Sequence, residues 1–390
     1  MSPSITSALA ATYKRAPMEF VRGEGVELID ADGKRYLDFV AGIAVNALGY
    51  GDAGLAAAMQ GAIESGMVHV SNLYRTAPGE ALAEALVAKS FADRVFFCNS
   101  GGEANEGAFK FARRWARGQG GTAKHEIFSL RGAFHGRLFG TVAATDRPAY
   151  RLPFRPLAGG ISILERDLTE IRAAIQSETT AAVIVEPVQG EGGVRVLDAG
   201  FLRELRALTT ERNILLIFDE IQCGYGRTGS FFAYEQSGVI PDILTVAKPM
   251  AGGLPMGAIL MRAEVADALQ PGEHGTTFGG GPSLASVALH VLERLSDPTL
   301  LASVTENGAW FGAQLRALAE RHPKVRSVRG VGYMWGVDVT DPAKEVIGRA
   351  LDLGLLLVSA GEHTLRILPP LVTMRDDLAR GLALIERALG

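Results

Sequence analysis

The sequence predicts an α/β fold, with a large domain whose mostly parallel central sheet is flanked by helices and a smaller α+β domain. Short apolar runs that alternate with helical segments predict the sheet, because such alternation is typical of parallel strands covered on both faces. After Pro282 the pattern changes to long helices followed by short strands. The 390 residues exceed the roughly 250 to 300 at which one hydrophobic core stops growing. We therefore expect a large domain at 46–282 and a small domain formed by 1–45 and 283–390.

The composition is that of an ordinary globular protein. Hydrophobic residues make up 47% and charged residues 21% of the chain, which argues against disorder. With a net charge of −4 and no long basic block, nucleic-acid binding is not expected. No apolar run approaches the ~18 residues of a membrane span, and the N-terminus does not resemble a signal peptide. Cys98 and Cys223 form no CxxC pair, so we expect neither disulfides nor a thiolate metal site, and a reducing cytoplasm fits.

The elements follow in chain order. Apolar and polar residues alternate around Asp32 and Gly33, which predicts a hairpin near the N-terminus. Residues 78–90 have the periodicity of an amphipathic helix. Strands are then predicted at 95–98, 126–130, 181–185, 214–218 and 243–247, with helices near 103–116, 167–176 and 200–212. Beyond Pro282 we expect helices at 284–295 and 302–321 and a strand at 333–339.

The first of these strands runs into Asn99, Ser100, Gly101 and Gly102 at the start of a helix. The carboxyl ends of parallel strands meet at the edge of the sheet where ligands bind. Small residues that enter a helix N-terminus leave backbone N–H groups free, and the helix dipole favours an anion such as a phosphate. An ordinary serine cap followed by a glycine turn explains these residues equally well.

The next two strands lead to an aromatic residue, an arginine and two acids. Phe134 can lie against a planar ring, and Arg137 can bind a carboxylate through two parallel hydrogen bonds; core packing and a solvated arginine are the alternatives. The third strand leads to Glu186 and then to Glu191 in a glycine-rich loop, where functional residues often lie. For Glu186 we favour a structural role in hydrogen bonds to the backbone.

The fourth and fifth strands are followed by Asp219 and Lys248. A salt bridge that caps two core strands would use the same residue types. Together with a phosphate site and a ring contact, however, the acid and the amine describe a site for pyridoxal 5′-phosphate (PLP). This cofactor needs a lysine that binds it covalently, a carboxylate for its pyridine nitrogen and an anchor for its phosphate.

Longer segments carry a family resemblance: RGEGVELIDADGKRYLDFVAGIAVN, HVSNLYR, DRVFFCNSGGEANE, FHGR, VEPVQGEGG, FDEIQCGYGRTG, PDILTVAKPMAGGLPMGA, TTFGGGP and LRILPP. Through them the chain resembles the class III aminotransferases of PLP fold type I over essentially its whole length. The resemblance implies that Lys248 carries the cofactor, that Asp219 pairs with the pyridine nitrogen and that Gln222 lies near the phenolic oxygen. It further implies that Phe134 stacks on the ring of the cofactor. Four other residues would contact the phosphate: Ser100, Gly101, Gly102 and the partner subunit's copy of Thr277. A homodimer with shared active sites follows.

The resemblance also implies the substrates. Arg366 matches the arginine that binds the α-carboxylate of glutamate or 2-oxoglutarate, and Glu191 matches the acid that pairs with it otherwise. Arg137 matches the arginine that holds the α-carboxylate of the donor. Ile43 replaces a tyrosine that meets the free α-amino group in ornithine enzymes, and an apolar residue there suits an acylated nitrogen.

We therefore expect transfer of the terminal amino group of N2-acetylornithine to 2-oxoglutarate, giving N-acetylglutamate 5-semialdehyde and glutamate in arginine biosynthesis. Ornithine, succinylornithine, 4-aminobutyrate and succinyl-diaminopimelate stay open as alternative donors.

Three places depart from the family pattern: GYGDAG stands where a GHxHP turn is usual, Gly102 replaces Thr or Ala, and Gly281 replaces Asn. Gly102 removes a side-chain contact to the phosphate. A remote alternative is an NAD-dependent dehydrogenase, because GYGRTG at 224–229 matches GxGxxG. That fingerprint opens a helix directly after a strand, whereas DEIQC intervenes here.

Overall fold

The computed structural model describes residues 8–390. Its strands are β1 Phe20–Glu24, β2 Glu27–Asp30, β3 Arg35–Asp38, β4 Arg94–Cys98, β5 Glu126–Leu130, β6 Ile161–Leu164, β7 Thr180–Val185, β8 Val188–Gln189, β9 Arg195–Val196, β10 Leu215–Asp219, β11 Ile243–Val246, β12 Gly257–Met261, β13 Val325–Val331, β14 Met334–Val339, β15 Leu355–Leu356, β16 Val358–Ser359 and β17 Thr364–Ile367.

The α-helices are α1 Ala41–Ala44, α2 Ala53–Glu64, α3 Ala77–Ala88, α4 Gly101–Gly120, α5 Phe139–Ala143, α6 Pro148–Arg151, α7 Leu168–Ala174, α8 Ala199–Glu211, α9 Tyr234–Ser237, α10 Ala263–Ala266, α11 Pro282–Leu295, α12 Pro298–Arg321, α13 Ala343–Asp352 and α14 Arg375–Leu389. Short 3₁₀ turns cover Gly121–Ala123, Leu152–Phe154 and Lys248–Ala251.

A seven-stranded sheet in the order β4-β12-β11-β10-β7-β5-β6 forms the centre of the described chain. The pairs β10–β11, β10–β7, β5–β7 and β5–β6 are parallel, and β12 runs antiparallel to both of its neighbours. A short loop joins β11 to β12 with only a 3₁₀ turn between them. A parallel crossover usually needs a dozen or more residues, so the short loop explains why β12 is reversed. The mostly parallel α/β fold that the sequence predicts is confirmed.

The central strands bury both of their faces. Along β10, Leu215 and Ile217 belong to the apolar cluster that includes helix α4, whereas Leu216 and Phe218 belong to the cluster on the opposite face. All six residues of β7 are buried as well. Successive side chains of a strand point to opposite faces, so a strand covered on both sides reads as a continuous apolar run. This is why the sequence identified these strands.

Three smaller sheets of the described chain lie outside the central one, with orders β1-β2-β3-β15, β13-β14-β17-β16 and β8-β9. The predicted hairpin is present: β2 and β3 pair antiparallel, and the Asp30 side chain accepts hydrogen bonds from the backbone of Asp32 and Lys34. The division into domains at 46–282 and 283–390 stays a prediction, and residues 1–7 of its N-terminal part lie outside the described residues. Between residues 8 and 390, no helix is long and apolar enough to cross a membrane.

Candidate active site

A cavity of about 160 Å³ lies at the carboxyl ends of the central strands. Its walls come from the segments after β4, β5, β7, β10 and β11, as expected for ligand sites in open parallel sheets. The lining residues are Gly101, Gly102, Phe134, His135, Gly136, Glu186, Asp219, Ile221, Gln222 and Lys248. All five predicted strand ends therefore contribute to one cavity.

Lys248 follows β11 and presents its side chain to this cavity with a backbone φ of +33°. Non-glycine residues rarely adopt positive φ, and such strain is often found at functional positions. Burial, assisted by the positive charge of Arg366, lowers the pKa of Lys248 to about 8, although the nearby acids Glu191, Asp219 and Glu186 oppose this shift. A larger fraction of this amine is therefore neutral near neutral pH than for an ordinary lysine.

Asp219, at the end of β10, is 3% exposed and its carboxylate is oriented by three hydrogen-bond partners. Oδ2 accepts from Asn105 Nδ2 at 2.7 Å and lies 2.8 Å from His135 Nδ1, and Oδ1 accepts from the backbone N–H of Ile221 at 3.1 Å. Asn105 is fixed in turn, because its Oδ1 accepts from the Thr245 hydroxyl at 2.7 Å. The carboxylate is thus held in one orientation at the cavity wall.

Asn105 and His135 were not predicted as site residues, although both lie within the motifs that carry the resemblance. Asn105 is buried on α4, and its Nδ2 also donates to the backbone carbonyl of His135 at 2.8 Å. Within residues 8–390, Nε2 of His135 has no hydrogen-bond partner. Buried polar side chains in the motifs EANE and FHGR were the available signal.

The N-terminus of α4 forms another wall of the cavity. The Ser100 hydroxyl accepts from the backbone N–H of Glu103 at 3.2 Å, so it caps the helix. Gly101 has no room for a side chain, because a Cβ would lie 2.8 Å from Ile221. Gly102 does have room, since the nearest heavy atom to a Cβ would be 3.5 Å away. The first N–H groups of a helix have no partners inside it, so this end can receive an anion.

Phe134 lines the cavity, whereas Arg137 is exposed at its margin. The Phe134 ring meets Tyr150 edge to face at 6.2 Å, and the Arg137 guanidinium lies 3.7 Å over the Tyr150 ring. A cation placed over an aromatic face is attracted by it, so Tyr150 holds Arg137 near the site.

Glu186 and Glu191 have different surroundings. Glu186 is buried, and its carboxylate accepts from the backbone N–H groups of Phe134 at 2.9 Å and Gly190 at 3.3 Å, as we favoured from the sequence. Burial and the negative charge of Asp219 raise the pKa of Glu186 well above its ordinary value. Oε1 of Glu191 instead lies 2.7 Å from Nη1 of Arg366, which is buried on β17. The same Nη1 donates to Oε1 of Gln222 at 3.2 Å, which connects this ion pair to the cavity wall.

Six predicted residues do not line the cavity: Ser100, Arg137, Glu191 and Arg366, described above, and Ile43 and Thr277. Ile43 is partly buried against the small apolar cluster that contains Met334 and Leu368, and its φ is +64°. Thr277 is exposed and lines a broad surface groove of about 1020 Å³ together with Tyr74 and Phe97. The structure of one chain therefore does not bring Thr277 to its own Lys248.

The GYGRTG segment at 224–229 forms turns and opens no helix. Arg227 is buried there and donates to the backbone carbonyls of Tyr333 and Pro369. A dinucleotide fingerprint requires a helix N-terminus at this point. The segment instead connects the β10 loop to the C-terminal part of the chain.

The residues of the cavity fit PLP by the chemistry of their side chains. An amine with a lowered pKa, a buried carboxylate held by two side chains, an aromatic ring and the N-terminus of a 20-residue helix face one space. These are the groups that would bind its aldehyde, pyridine nitrogen, ring and phosphate.

The comparisons with known proteins agree with this geometry. The family model described as "Aminotransferase class-III" matches residues 8–389. The chain is 44% identical to an acetylornithine aminotransferase of Methanocaldococcus jannaschii over 94% of this chain and 92% of that one.

Solved structures show the same relationship. N-acetylornithine aminotransferase from Stenotrophomonas maltophilia is similar at a TM-score of 0.84 and 35% identity, covering 96% of both chains. Ornithine aminotransferase from Toxoplasma gondii, in a structure with partial occupancy of PLP at its active site, is similar at a TM-score of 0.94 and 30% identity. That likeness covers 98% of this chain and 91% of the other.

Proposed function

This chain belongs to the class III aminotransferases, a family of PLP-dependent enzymes, and on that premise we propose that it transfers the terminal amino group of N2-acetylornithine to 2-oxoglutarate. The products are N-acetylglutamate 5-semialdehyde and glutamate. The observation that carries the proposal is the Glu191–Arg366 pair beside Lys248, since it offers a buried arginine to one substrate and can cover that arginine for the other.

Lys248 and Asp219 perform the chemistry in this proposal. When bound, PLP supplies an electron-accepting ring that makes the hydrogen on the amine-bearing carbon acidic. Nζ of Lys248 holds the cofactor before the donor arrives, and once released it accepts the proton from that carbon. Asp219, held by Asn105 and His135, keeps a proton on the pyridine nitrogen. Phe134 would stack on the ring of the cofactor, Gln222 would lie near its phenolic oxygen, and Gly101 and Gly102, together with the neighbouring Ser100, would hold its phosphate.

The two substrates use different arginines. Both substrates have a carboxylate at the end remote from the reacting group, but only 2-oxoglutarate has a second carboxylate next to its reacting carbon. Arg366 binds that carboxylate after Glu191 moves aside, and during the donor half-reaction Glu191 stays on Arg366. Arg137 at the cavity margin binds the α-carboxylate of the donor. Two parallel hydrogen bonds make arginine the suitable residue for both tasks.

Ile43 supports the acylated donor in this proposal. It packs beside Met334 and Leu368 and offers no hydrogen-bonding group. A free α-amino group needs a polar or charged partner when it leaves water, whereas an acetylated nitrogen carries no charge. An apolar residue at this position therefore suits N2-acetylornithine better than ornithine.

A homodimer with shared active sites is part of the proposal. Large apolar side chains are exposed at the groove that contains Thr277: Leu73 and Tyr74, at 87% and 71% exposure, line it, and Phe278, at 60%, follows Thr277 in the chain. Clusters of this kind mark interaction surfaces. In the dimer, Thr277 of one protomer reaches the phosphate site of its partner. A place in arginine biosynthesis follows from the proposed substrates, and a cytoplasmic location is part of the proposal.

A panel of half-reactions tests the donor. The purified holoenzyme is mixed with N2-acetylornithine, ornithine, succinylornithine, 4-aminobutyrate or succinyl-diaminopimelate, and loss of the visible absorption of the cofactor is followed. We expect the largest second-order rate constant for the half-reaction with N2-acetylornithine. A preference for free ornithine would overturn both the donor and the interpretation of Ile43.

A further inference from the structure

The loop at 190–194, which carries Glu191, is held on two sides by arginines from distant parts of the chain. On one side, Nη2 of Arg147, just before α6, donates to the backbone carbonyl of Glu191 itself. Arg147 is half-buried and makes no ion pair among residues 8–390. Its side-chain hydrogen bond is therefore directed to the residue that covers Arg366.

On the other side, Arg329 of β13 binds the end of the same loop. Its Nε donates to the backbone carbonyl of Gly193 at 2.5 Å, while Nη1 and Nη2 make a bidentate pair with Asp338 at 2.6 and 2.9 Å. Asp338 also accepts from Thr364 at 2.6 Å, and Thr364 begins the strand that carries Arg366. Burial alone would raise the pKa of Asp338, but the hydrogen bonds from Arg329, Thr364 and Ser327 lower it to about 2. Arg329 therefore connects the Glu191 loop to the Arg366 strand.

Packing leaves the loop little freedom. A Cβ at Gly190 would lie 1.9 Å from Gln222, and one at Gly192 would lie 2.5 Å from the carbonyl of Gly132. Gly336, which pairs with Arg366 across β14 and β17, has the backbone of Gly193 and the side chain of Val194 within 3.1 Å of where its Cβ would be. Val194 itself has a φ of +53°, a costly conformation for a β-branched residue that persists only when its surroundings impose it.

We propose that Arg147 and Arg329 are positioning residues that set how firmly Glu191 covers Arg366, and that they thereby set the balance between donor and dicarboxylate binding. The inference rests on the proposed function, because it takes Arg366 as the site for the carboxylate of the acceptor. A dicarboxylate has to displace Glu191 from Arg366. Loosening the loop lowers the cost of that displacement and strengthens dicarboxylate binding.

The test measures the dissociation constant of glutarate with the holoenzyme by calorimetry. Glutarate is a dicarboxylate without an amino or keto group, so it binds without reacting. We expect Arg147→Ala to bind it roughly three- to tenfold more tightly than the wild type, with Arg147→Lys lying between the two. Glu191→Gln binds glutarate at least as tightly as Arg147→Ala. The double variant binds it no more tightly than Glu191→Gln alone, because the effect of Arg147 passes through Glu191.

Two further variants sharpen the result. Arg329→Lys keeps a charge beside Asp338 but loses the fork that also reaches Gly193, so it is expected to act in the same direction as Arg147→Ala. Arg212→Ala is the matched control, since Arg212 also donates to backbone carbonyls, those of Arg172 and Ile175, but far from the loop. Its glutarate affinity is expected to equal that of the wild type.

The outcomes separate the two levels of the proposal. Unchanged or weaker glutarate binding in Arg147→Ala, or additive effects in the double variant, would overturn the inference while Glu191→Gln still supports the proposed function. If the wild type binds no glutarate and Glu191→Gln changes nothing, the role of Arg366 in the proposed function falls and the inference falls with it.

Discussion

Oε1 of Glu191 lies 2.7 Å from Nη1 of Arg366, and the Arg366 side chain is 1% exposed. A buried cation that loses its partner is left uncompensated, which typically costs about 3 to 5 kcal/mol. Arg366 therefore needs an anion at every stage of a catalytic cycle. In the proposed mechanism, Glu191 supplies this anion when the substrate does not.

Replacing Arg366 by lysine is expected to separate the two half-reactions. Lysine keeps the charge but loses the bidentate geometry, so the KM for 2-oxoglutarate should rise by about tenfold or more. The half-reaction with the donor, in which Arg366 contacts Glu191, should change by less than about threefold. Single-turnover rates of each half-reaction check this. An equal loss of rate in the two half-reactions would show that Arg366 does not discriminate between the substrates.

Asn105→Ala is expected to weaken the site less than Asp219→Ala does. Loss of Asn105 removes one of the two side chains that contact Oδ2 of Asp219 and leaves the Thr245 hydroxyl without this partner, a cost of about 1 to 3 kcal/mol that should lower kcat roughly tenfold. Loss of Asp219 should remove nearly all turnover and the retention of PLP. For both variants, turnover is measured as kcat, and PLP retention is measured as the visible absorbance of the cofactor that remains after dialysis.

Asp242→Asn is the control for that pair of variants. Asp242 is a buried acid just before β11, at the end remote from Lys248, where it binds Arg206 at 2.7 Å. Its loss should lower the melting temperature without releasing PLP. Full PLP retention by Asp219→Ala would contradict the role assigned to this carboxylate.

Uptake of PLP by the protein freed of cofactor should depend on pH through Lys248. Only the neutral amine attacks an aldehyde, and the pKa of Lys248 is lowered to about 8. Below that value the uptake rate should fall about tenfold per pH unit, and above it the rate should level off. Stopped-flow absorbance, with borohydride reduction and mass analysis to locate the bond, measures this. A rate still rising steeply above about pH 9 would indicate an ordinary lysine.

Glu220 should make the stability of the protein depend on pH. The side chain accepts from the backbone N–H groups of Ala233 and Tyr234 at 2.6 and 2.7 Å, and burial raises its pKa to about 8 from an ordinary value of 4.5. Between these values the folded state holds a proton that the unfolded state has lost. The contribution of Glu220 is therefore full at low pH and is lost as the pH rises through about 8.

Urea unfolding at several pH values tests this expectation. The difference between wild type and Glu220→Gln should change with pH by up to about 1.4 kcal/mol per unit, and Glu264→Gln on the exposed face of α10 serves as the control. If the difference in unfolding free energy between wild type and Glu220→Gln stayed constant between pH 4.5 and about 8, Glu220 would ionise normally in the folded protein.

The local pattern of apolar residues was enough to predict the strands whose carboxyl ends form the cavity. The runs ending at Leu130 and Val185 were predicted because buried parallel strands are short and largely apolar. The run ending at Cys98 was predicted from its apolar residues, although β4 is a partly exposed edge strand that pairs with the antiparallel β12. Of the seven strands in the central sheet, β6 and β12 were missed. β6 is a four-residue strand of mixed burial, and β12 follows a loop too short for the helix that the alternating pattern led us to expect.

Contacts between distant segments were harder to predict. Asn105 and His135 meet Asp219 only because α4 and the loop after β5 converge on β10. The residues next to Asn105 and His135 in the sequence do not indicate that either side chain contacts Asp219. The positive φ of Ile43 and Val194 could not be foreseen either, since β-branched residues avoid that region and only tertiary packing imposes it. The roles of the site residues stay predictions until the variants are measured.

The N-terminal hairpin has a consequence for synthesis on the ribosome. Strand β3 pairs with β15, and Lys34 donates to the carbonyl of Asp352, 318 residues further along the chain. The first strands therefore leave the ribosome long before the segment that completes their sheet exists. Contacts this remote in sequence form slowly and leave strand edges unpaired in the meantime. Newly made chains have to keep residues 20–38 out of wrong pairings until the last tenth of the protein emerges.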